Sequence, residues 1–324
     1  HLYSVKFDGA GKQRHTTAPG SYSASIAPGC AHNLRSGSSI RESFPRTLHS
    51  SDGAELAVYR RADRRVAEEY EILPTEFLQV RTSDGTMLNA RLLKPAGFQA
   101  GRKYPAIVSV YGGPGAQSVR NSWRGADYDQ ALAHKGFVVW QVDNRGSAGH
   151  GHAFEAPVRR RFGEQELADQ KDGVKHLVSM GFVDPARIGI HGWSYGGYMT
   201  LTALLHAPEV FRAGVAGAPV TDWREYDTIY TERYMGLPAG NEEAYKKSSP
   251  VHFASQLKGK LMLVHNFGDD NVLFQHTLRM ADALQRAGKH FDLLLYPQKS
   301  HALSGAGRRH YLEAMTEFWE RHLK

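Results

Sequence analysis

The sequence is poor in several features that would fix its class at once. It contains one cysteine, Cys30, so an internal disulfide is excluded. No apolar stretch approaches the roughly 18 residues of a membrane-spanning helix, and no secretory leader is recognisable in the first residues. We therefore expect a soluble chain without a membrane partner. Its compartment, periplasm or cytoplasm, is left open because the first residue is not methionine.

Concentrated charge is also missing. The net charge is +7, but the basic residues are scattered, with local clusters such as those at residues 159–161 and 308–309. Nucleic-acid binding would favour a stripe of such clusters with interleaved aromatic residues. We interpret the charge as a solvated surface and expect no nucleic-acid partner. The 324 residues, of which 41% are hydrophobic, suffice for one large domain or for one large and one small domain.

The first seventy residues carry short strand patterns separated by turn signals. Strands are predicted at residues 2–7 and 22–26, and a hairpin at 47–49 and 55–59 around a Ser-Asp-Gly turn. A short linker helix is predicted within residues 62–70. Residues 1–70 are therefore expected to form a fragment of an all-β module and a linker.

From residue 71 onward, strand and helix patterns alternate. The apolar runs at 106–110 and 137–142 are typical of parallel strands buried on both faces. Further strands are predicted at 76–82, 87–93, 187–191, 213–216, 261–265 and 291–296, and helices at 128–135, 164–180, 198–206, 274–287 and 309–322. This alternation predicts a doubly wound, mostly parallel sheet over residues 71–324, in the α/β class.

The pentapeptide Gly192-Trp193-Ser194-Tyr195-Gly196 is the most informative motif. It matches the G-x-S-x-G nucleophile elbow of α/β-hydrolases. A serine that attacks a carbonyl must project from a sharp strand-to-helix turn, where the backbone comes so close that the flanking positions favour glycine. A predicted strand precedes the motif and a predicted helix follows it. The sequence therefore predicts the α/β-hydrolase fold, with Ser194 as the nucleophile.

A serine nucleophile needs a general base and an acid that orients the base. In α/β-hydrolases these follow the serine in the order acid, then histidine, in loops after late strands. Among 17 histidines, His301 is placed in the loop after the last predicted strand, where ligand sites of open α/β sheets form. Asp269 and Asp270 both follow strand 261–265; one is expected to orient the imidazole and the other to cap the next helix. Their spacing does not separate the two roles.

The developing oxyanion needs preorganised hydrogen-bond donors. One is expected to be the backbone N–H of Tyr195, the residue after the nucleophile. The second is expected from the loop after strand 106–110, which reads Tyr111-Gly112-Gly113-Pro114-Gly115. Either a backbone N–H or the phenol of Tyr111 fits this role.

Three motifs in order, Tyr-Gly-Gly-Pro-Gly, Gly-Trp-Ser-Tyr-Gly-Gly and Asp-Asp-Asn-Val, make the chain resemble the prolyl oligopeptidase family. Within it, residues 71–324 resemble catalytic domains of the dipeptidyl peptidase IV type. The resemblance implies that Ser194 is the nucleophile, Asp269 the acid and His301 the base, with Tyr111 and the Tyr195 amide on the oxyanion.

The resemblance also implies a substrate site. A compact hydrophobic pocket would accept proline or alanine on the acyl side of the scissile bond, lined by Tyr195, Val220, Trp223, Tyr226, Tyr230 and Val272. Asn271 would hydrogen-bond the neighbouring substrate carbonyl. Without the resemblance, Trp223, Tyr226 and Tyr230 are simply aromatic residues at helical spacing. Such a stripe more often belongs to a hydrophobic core than to a substrate pocket.

One departure from the family pattern concerns its β-propeller. Residues 1–60 resemble the last portion of a single blade, and Glu68-Glu69 lies in the predicted linker, where we interpret it as a solvated charge run. The acidic anchor that binds a substrate amino terminus in dipeptidyl peptidases is thus not recognisable in this chain. The unpartnered blade is expected to favour a homodimer.

The sequence as a whole predicts a serine hydrolase that works through an acyl-enzyme. Its substrate partner would be a peptide or a small acyl ester, cleaved at an amide or ester bond after a small residue such as Pro or Ala. No metal or organic cofactor is implied. The alternatives are a carboxylesterase acting on short-chain acyl esters and an inactive association module.

Overall fold

A computed structural model of the chain describes residues 1–297 and 300–324. Gln298 and Lys299, in the loop predicted to carry His301, lie outside the described residues. The chain divides into two compact units, a smaller one of residues 1–75 and 120–131 and a larger one of residues 76–119 and 132–324.

The smaller unit is built from antiparallel strands. Strands β1 and β2 pair with each other, and β3 to β6 form a four-stranded sheet in chain order. The elements are β1 (Tyr3–Ser4), β2 (Gln13–Arg14), β3 (Ser21–Ile26), β4 (His32–Ser38), β5 (Arg46–Ser50), β6 (Glu55–Arg60) and the short helix α1 (Arg65–Glu69). The segment 120–131 is joined to this unit by polar contacts: Gln130 bonds both the N–H and the carbonyl of Leu73, at 2.9 and 3.1 Å.

One expectation for this unit is corrected, and one strand was missed. The strand predicted over residues 2–7 is confined to β1, because Val5 and Phe7 are exposed and have no apolar surface to cover. Strand β4 was not predicted, since its sequence is mostly polar and contains Gly37.

The larger unit contains an eight-stranded sheet. Its order is β14-β13-β12-β11-β9-β10-β8-β7. The strands are β7 (Thr75–Arg81), β8 (Met87–Leu93), β9 (Tyr104–Ser109), β10 (Val138–Val142), β11 (Val183–Trp193), β12 (Ala213–Gly217), β13 (Lys260–Asn266) and β14 (Asp292–Tyr296). From β10 to β14 across the sheet all pairings are parallel, whereas β10 pairs antiparallel with β8. The predicted α/β class, with a mostly parallel sheet and small antiparallel N-terminal sheets, is confirmed.

Helices alternate with these strands. They are α2 (Tyr128–His134), α3 (His152–Glu155), α4 (Glu164–Ser179), α5 (Tyr195–His206), α6 (Thr228–Met235), α7 (Glu242–Lys247), α8 (Gln275–Arg286) and α9 (Gly305–Leu323). Helix α5 is almost wholly buried and packs on β11 and β12. Gly214 permits this contact, because a Cβ there would lie 2.7 Å from Leu204 Cδ1. The core between α5 and the sheet thereby fixes the start of α5, where the candidate nucleophile lies.

Within residues 1–297 and 300–324, no helix has both the length and the apolar character needed to cross a membrane.

Candidate active site

Ser194 lies at the junction of β11 and α5 in a strained backbone conformation. Its φ is 62° and its ψ is −119°, a region that residues other than glycine rarely adopt. Its N–H donates to the Gly217 carbonyl at 2.8 Å, and its carbonyl accepts the Tyr198 N–H at 3.0 Å. These bonds to β12 and α5 hold the serine at the apex of a sharp turn.

The glycines of the elbow make room for a neighbouring carbonyl. A Cβ on Gly192 would lie 2.2 Å from the Val110 oxygen, and a Cβ on Gly196 would lie 2.3 Å from the same atom. Real Cβ atoms do not come this close to a backbone oxygen, so neither position tolerates a side chain without movement. The spacing of the motif therefore follows from the approach of the segment after β9 to the turn.

Asp269 and His301 form a hydrogen-bonded pair. His301 Nδ1 lies 2.8 Å from Asp269 Oδ2, and the Asp269 side chain is fully buried. The other carboxylate oxygen accepts the N–H groups of Asn271 and Val272, at 2.9 and 3.0 Å. Burial alone would raise the pKa of Asp269, but hydrogen bonds from His265, His301 and the Asn271 N–H outweigh it and hold this pKa well below its usual range. The carboxylate is therefore ionised wherever the imidazole is needed as a base.

Asp270 does not have the helix-capping role that was expected for one of the two aspartates. Its side chain is exposed, and α8, which begins at Gln275, has no side-chain cap. The expectation that one of the two aspartates caps this helix is wrong. Asp269 instead closes its own loop, because its carboxylate accepts the N–H groups of Asn271 and Val272.

The loop of His301 is tied to the residue that precedes the serine. Trp193 Nε1 donates to the His301 carbonyl at 2.8 Å, and the Asn266 amide donates to the carbonyl of Ser300. His301 Nε2 is buried and has no hydrogen-bond partner among the described residues. With Nδ1 committed to Asp269, Nε2 is the nitrogen left for proton transfer.

Tyr111 lies against the start of α5. Its ring centroid is 6.1 Å from that of Tyr195, and a Cβ on Gly113 would lie 2.7 Å from the Tyr111 ring. The Tyr111 side chain is partly exposed, and burial of the remainder raises its pKa, with a further contribution from Tyr234. The phenol accordingly stays protonated and can donate a hydrogen bond.

The predicted pocket residues form one aromatic cluster. Trp223 stacks on Tyr230 with centroids 6.2 Å apart, and Tyr226 meets both rings edge-on at 5.8 and 5.5 Å. Tyr195 lies 5.5 Å from Trp223, centroid to centroid. Val220 and Val272 are buried.

Asn271 is oriented by the same cluster. The Tyr226 hydroxyl donates to Asn271 Oδ1 at 2.7 Å. This contact occupies the oxygen of the amide and leaves its NH₂ group available as a donor.

Two residues of this region were not predicted from the sequence. Phe162 packs against Trp223 and Tyr195, with centroids 4.7 and 5.4 Å away. Glu166, on α4, is fully buried; its Oε1 accepts the Tyr195 hydroxyl at 2.6 Å and its Oε2 accepts the Gly163 N–H at 3.0 Å. Burial raises the pKa of Glu166 to about 7. In the sequence Glu166 is one of two glutamates in the first turn of a predicted helix, and nothing in this pattern distinguishes it from a surface glutamate.

A strained serine after a parallel strand, followed in the chain by an aspartate–histidine pair, defines the α/β-hydrolase class. Residues 126–324 match the model of the prolyl oligopeptidase family of serine peptidases. The chain belongs to this family, and its relatives include dipeptidyl peptidases.

Individual relatives agree with this assignment. The chain is 44% identical over 236 residues to human dipeptidyl peptidase 8, covering 71% of this chain and 26% of that protein. It is 38% identical to bovine prolyl endopeptidase FAP, covering 76% of this chain and 33% of that protein. A crystal structure of Porphyromonas gingivalis dipeptidyl peptidase 4 superposes with a TM-score of 0.95 at 35% identity, over 99% of this chain and 46% of the other. The chain thus spans about a quarter to a half of the lengths of these proteins.

Proposed function

We propose that this chain is a serine hydrolase that cleaves amide or ester bonds after small residues such as proline or alanine. One observation carries the proposal: His301 bonds the buried carboxylate of Asp269 while its carbonyl is held by Trp193, the neighbour of the strained Ser194. Family membership and the similarity to dipeptidyl peptidases support the same chemistry.

In the proposed mechanism, His301 Nε2 removes the proton from the Ser194 hydroxyl as Oγ attacks the substrate carbonyl. The tetrahedral oxyanion accepts hydrogen bonds from the Tyr195 N–H and the Tyr111 hydroxyl. Collapse of this intermediate expels the amine or alcohol, which takes the proton from His301, and leaves an acyl-enzyme. Water, deprotonated by His301, then attacks the ester and releases the acid. Asp269 stabilises the imidazolium in both steps.

The aromatic cluster supports a preference for small acyl-side residues. Trp223, Tyr226 and Tyr230 pack on one another and on Tyr195, and the substrate space proposed beside these rings is therefore expected to be narrow and largely apolar. A pyrrolidine ring or a methyl group fits such a space, whereas a long chain does not. The Asn271 NH₂ is proposed to donate to the adjacent substrate carbonyl.

The decisive test is parallel turnover of a Gly-Pro arylamide and a short-chain aryl ester. Ser194→Ala is expected to abolish both activities while the fold is retained, and His301→Ala is expected to lower kcat by about 10⁴ or more, because triad members act as a unit. His310→Ala is the matched control; it removes a histidine that bonds Tyr296 and should leave kcat near that of the unmodified chain.

The outcome also separates the alternatives. Turnover of the ester alone would favour a carboxylesterase. Failure of a phosphonate probe for serine hydrolases to label Ser194 would contradict the proposal and favour an association module.

A further inference from the structure

Among the described residues, four donor groups surround Asp269, and one of them is a second histidine side chain that has no part in the mechanism above. Two are backbone N–H groups on Oδ1, and the third is His301 on Oδ2. The fourth is the imidazole of His265, whose Nε2 lies 3.3 Å from Oδ2. The side chains of both His265 and Asp269 are completely buried, so no solvent competes for this contact.

His265 has a defined protonation pattern. It lies near the end of β13, and its Nε2 is 2.8 Å from the Val272 carbonyl, which can only accept a hydrogen bond. Nε2 must therefore carry the proton. Its Nδ1 is 2.7 Å from the Thr277 hydroxyl, which can then donate to it. One neutral tautomer satisfies both contacts: its single N–H is donated to the Val272 carbonyl, and Asp269 Oδ2 lies 3.3 Å from the same nitrogen.

These contacts span the loop that carries the carboxylate. Residues 269 and 272 are the two ends of the turn closed by the N–H groups of Asn271 and Val272 on Oδ1. The His265 N–H bonds the carbonyl at one end, and its nitrogen lies 3.3 Å from the carboxylate oxygen at the other end, the same oxygen that bonds His301. Rotation of the carboxylate away from His301 would break bonds on both oxygens.

We propose that His265 is a positioning residue of the catalytic machinery, which holds the 269–272 loop closed and turns Asp269 Oδ2 toward His301. This inference rests on the proposed function, because it assigns His265 a role in that same triad. Without the imidazole, the Val272 carbonyl and one carboxylate lone pair lose a buried partner, and the loop is free to turn. A less well oriented Asp269 stabilises the imidazolium less in the transition state, so the effect falls on kcat rather than on KM.

The test compares two substitutions at the same position. His265→Leu removes both nitrogens at similar volume, and kcat for the Gly-Pro arylamide is expected to fall between about tenfold and a hundredfold, the factor that matches loss of one hydrogen bond to a charged group. His265→Gln can place an amide N–H near the position of Nε2, and is expected to recover most of kcat. Thr277→Val removes the hydroxyl that donates to Nδ1 and is expected to lower kcat by a smaller factor with KM unchanged.

A second measurement does not require turnover. The proton shared by His301 and Asp269 should give a downfield imidazole N–H resonance in the proton NMR spectrum. This resonance is expected to shift or broaden in His265→Leu and to return toward its original position in His265→Gln. The matched control is His276→Leu, since His276 is equally buried and bonds Thr221 but has no contact with Asp269; it should leave the resonance in place.

The inference is overturned if His265→Leu retains both kcat and the resonance, or if Gln restores neither. Failure of this inference can be distinguished experimentally from failure of the proposed function. If the unmodified chain neither turns over substrate nor reacts with a phosphonate, the proposed function is wrong, and the resonance still decides whether His265 positions Asp269.

Discussion

The Tyr111 hydroxyl is a single oxygen whose role can be tested by removing it alone. A donor aimed at the oxyanion stabilises the transition state and hardly affects the bound substrate. We expect Tyr111→Phe to lower kcat by about 10²–10³ with little change in KM. Tyr59→Phe, at an exposed tyrosine of the smaller unit, is the control for the chemical change. An unchanged kcat would assign the second oxyanion donor to a glycine N–H of the same loop.

Glu166 gives the larger unit a pH-dependent stability. Burial raises its pKa from 4.5 to about 7, so the folded state binds the proton more tightly than the unfolded state does. Stability is then highest below pH 4.5 and falls as the pH rises toward 7, by about 3 kcal/mol if this group alone titrates. Glu166→Gln cannot ionise, and the difference in unfolding free energy between it and the unmodified chain should follow this dependence.

Urea unfolding followed by tryptophan fluorescence between pH 4.5 and 8 measures this difference. Glu164→Gln is the matched control, since Glu164 is exposed in the same turn of α4. Parallel pH curves for Glu166→Gln and the unmodified chain would show that Glu166 does not titrate in this range.

The elbow depends on the contact between two elements rather than on the serine alone. A Cβ on Gly196 would press on the Val110 oxygen and lie 3.2 Å from Tyr111 Cα. We expect Gly196→Ala to destabilise the larger unit by about 1–3 kcal/mol, through overpacking, and to lower kcat by moving Tyr111. Gly240→Ala is the control, because nothing lies within 4 Å of the added methyl. Thermal unfolding and kcat are measured together; a stable, fully active Gly196→Ala would contradict the steric argument.

The elements that were predictable from the sequence are those whose burial produces a simple pattern of apolar residues along the chain. Strands β9 and β10 are covered on both faces and show as continuous apolar runs. Helix α6 was missed because its residues are mixed in polarity and its tyrosines face the aromatic cluster rather than a sheet. The elbow is local and was visible in five residues. The contacts of Glu166 and His265 depend on partners brought together by folding, and no periodicity encodes them.

For the association of whole molecules, the exposed edge of the four-stranded sheet is the surface to test. Strand β6 ends the four-stranded sheet, and Leu56, Val58 and Tyr59 on it are more than half exposed. An exposed edge strand with apolar side chains favours pairing with another strand, and a closed two-fold dimer satisfies two such edges at once. We therefore expect this 324-residue chain to form a dimer through residues 1–60.

Sedimentation at micromolar concentration measures this association. The double substitution Leu56→Lys and Val58→Lys should yield monomers, because charge on an edge strand opposes pairing. Leu278→Lys, at a residue of equal exposure on α8, is the control. A strict monomer before substitution, or a dimer that survives the double substitution, would contradict the prediction.

The positive φ of Ser194 places backbone strain at the proposed point of chemistry. Glycine adopts this backbone conformation without strain, whereas serine and alanine do not. An inactive Ser194→Gly protein should consequently outlast an inactive Ser194→Ala protein on heating. Directed evolution for heat resistance without a screen for turnover would then drift toward glycine at position 194, and any thermostable library should be sequenced at that codon first.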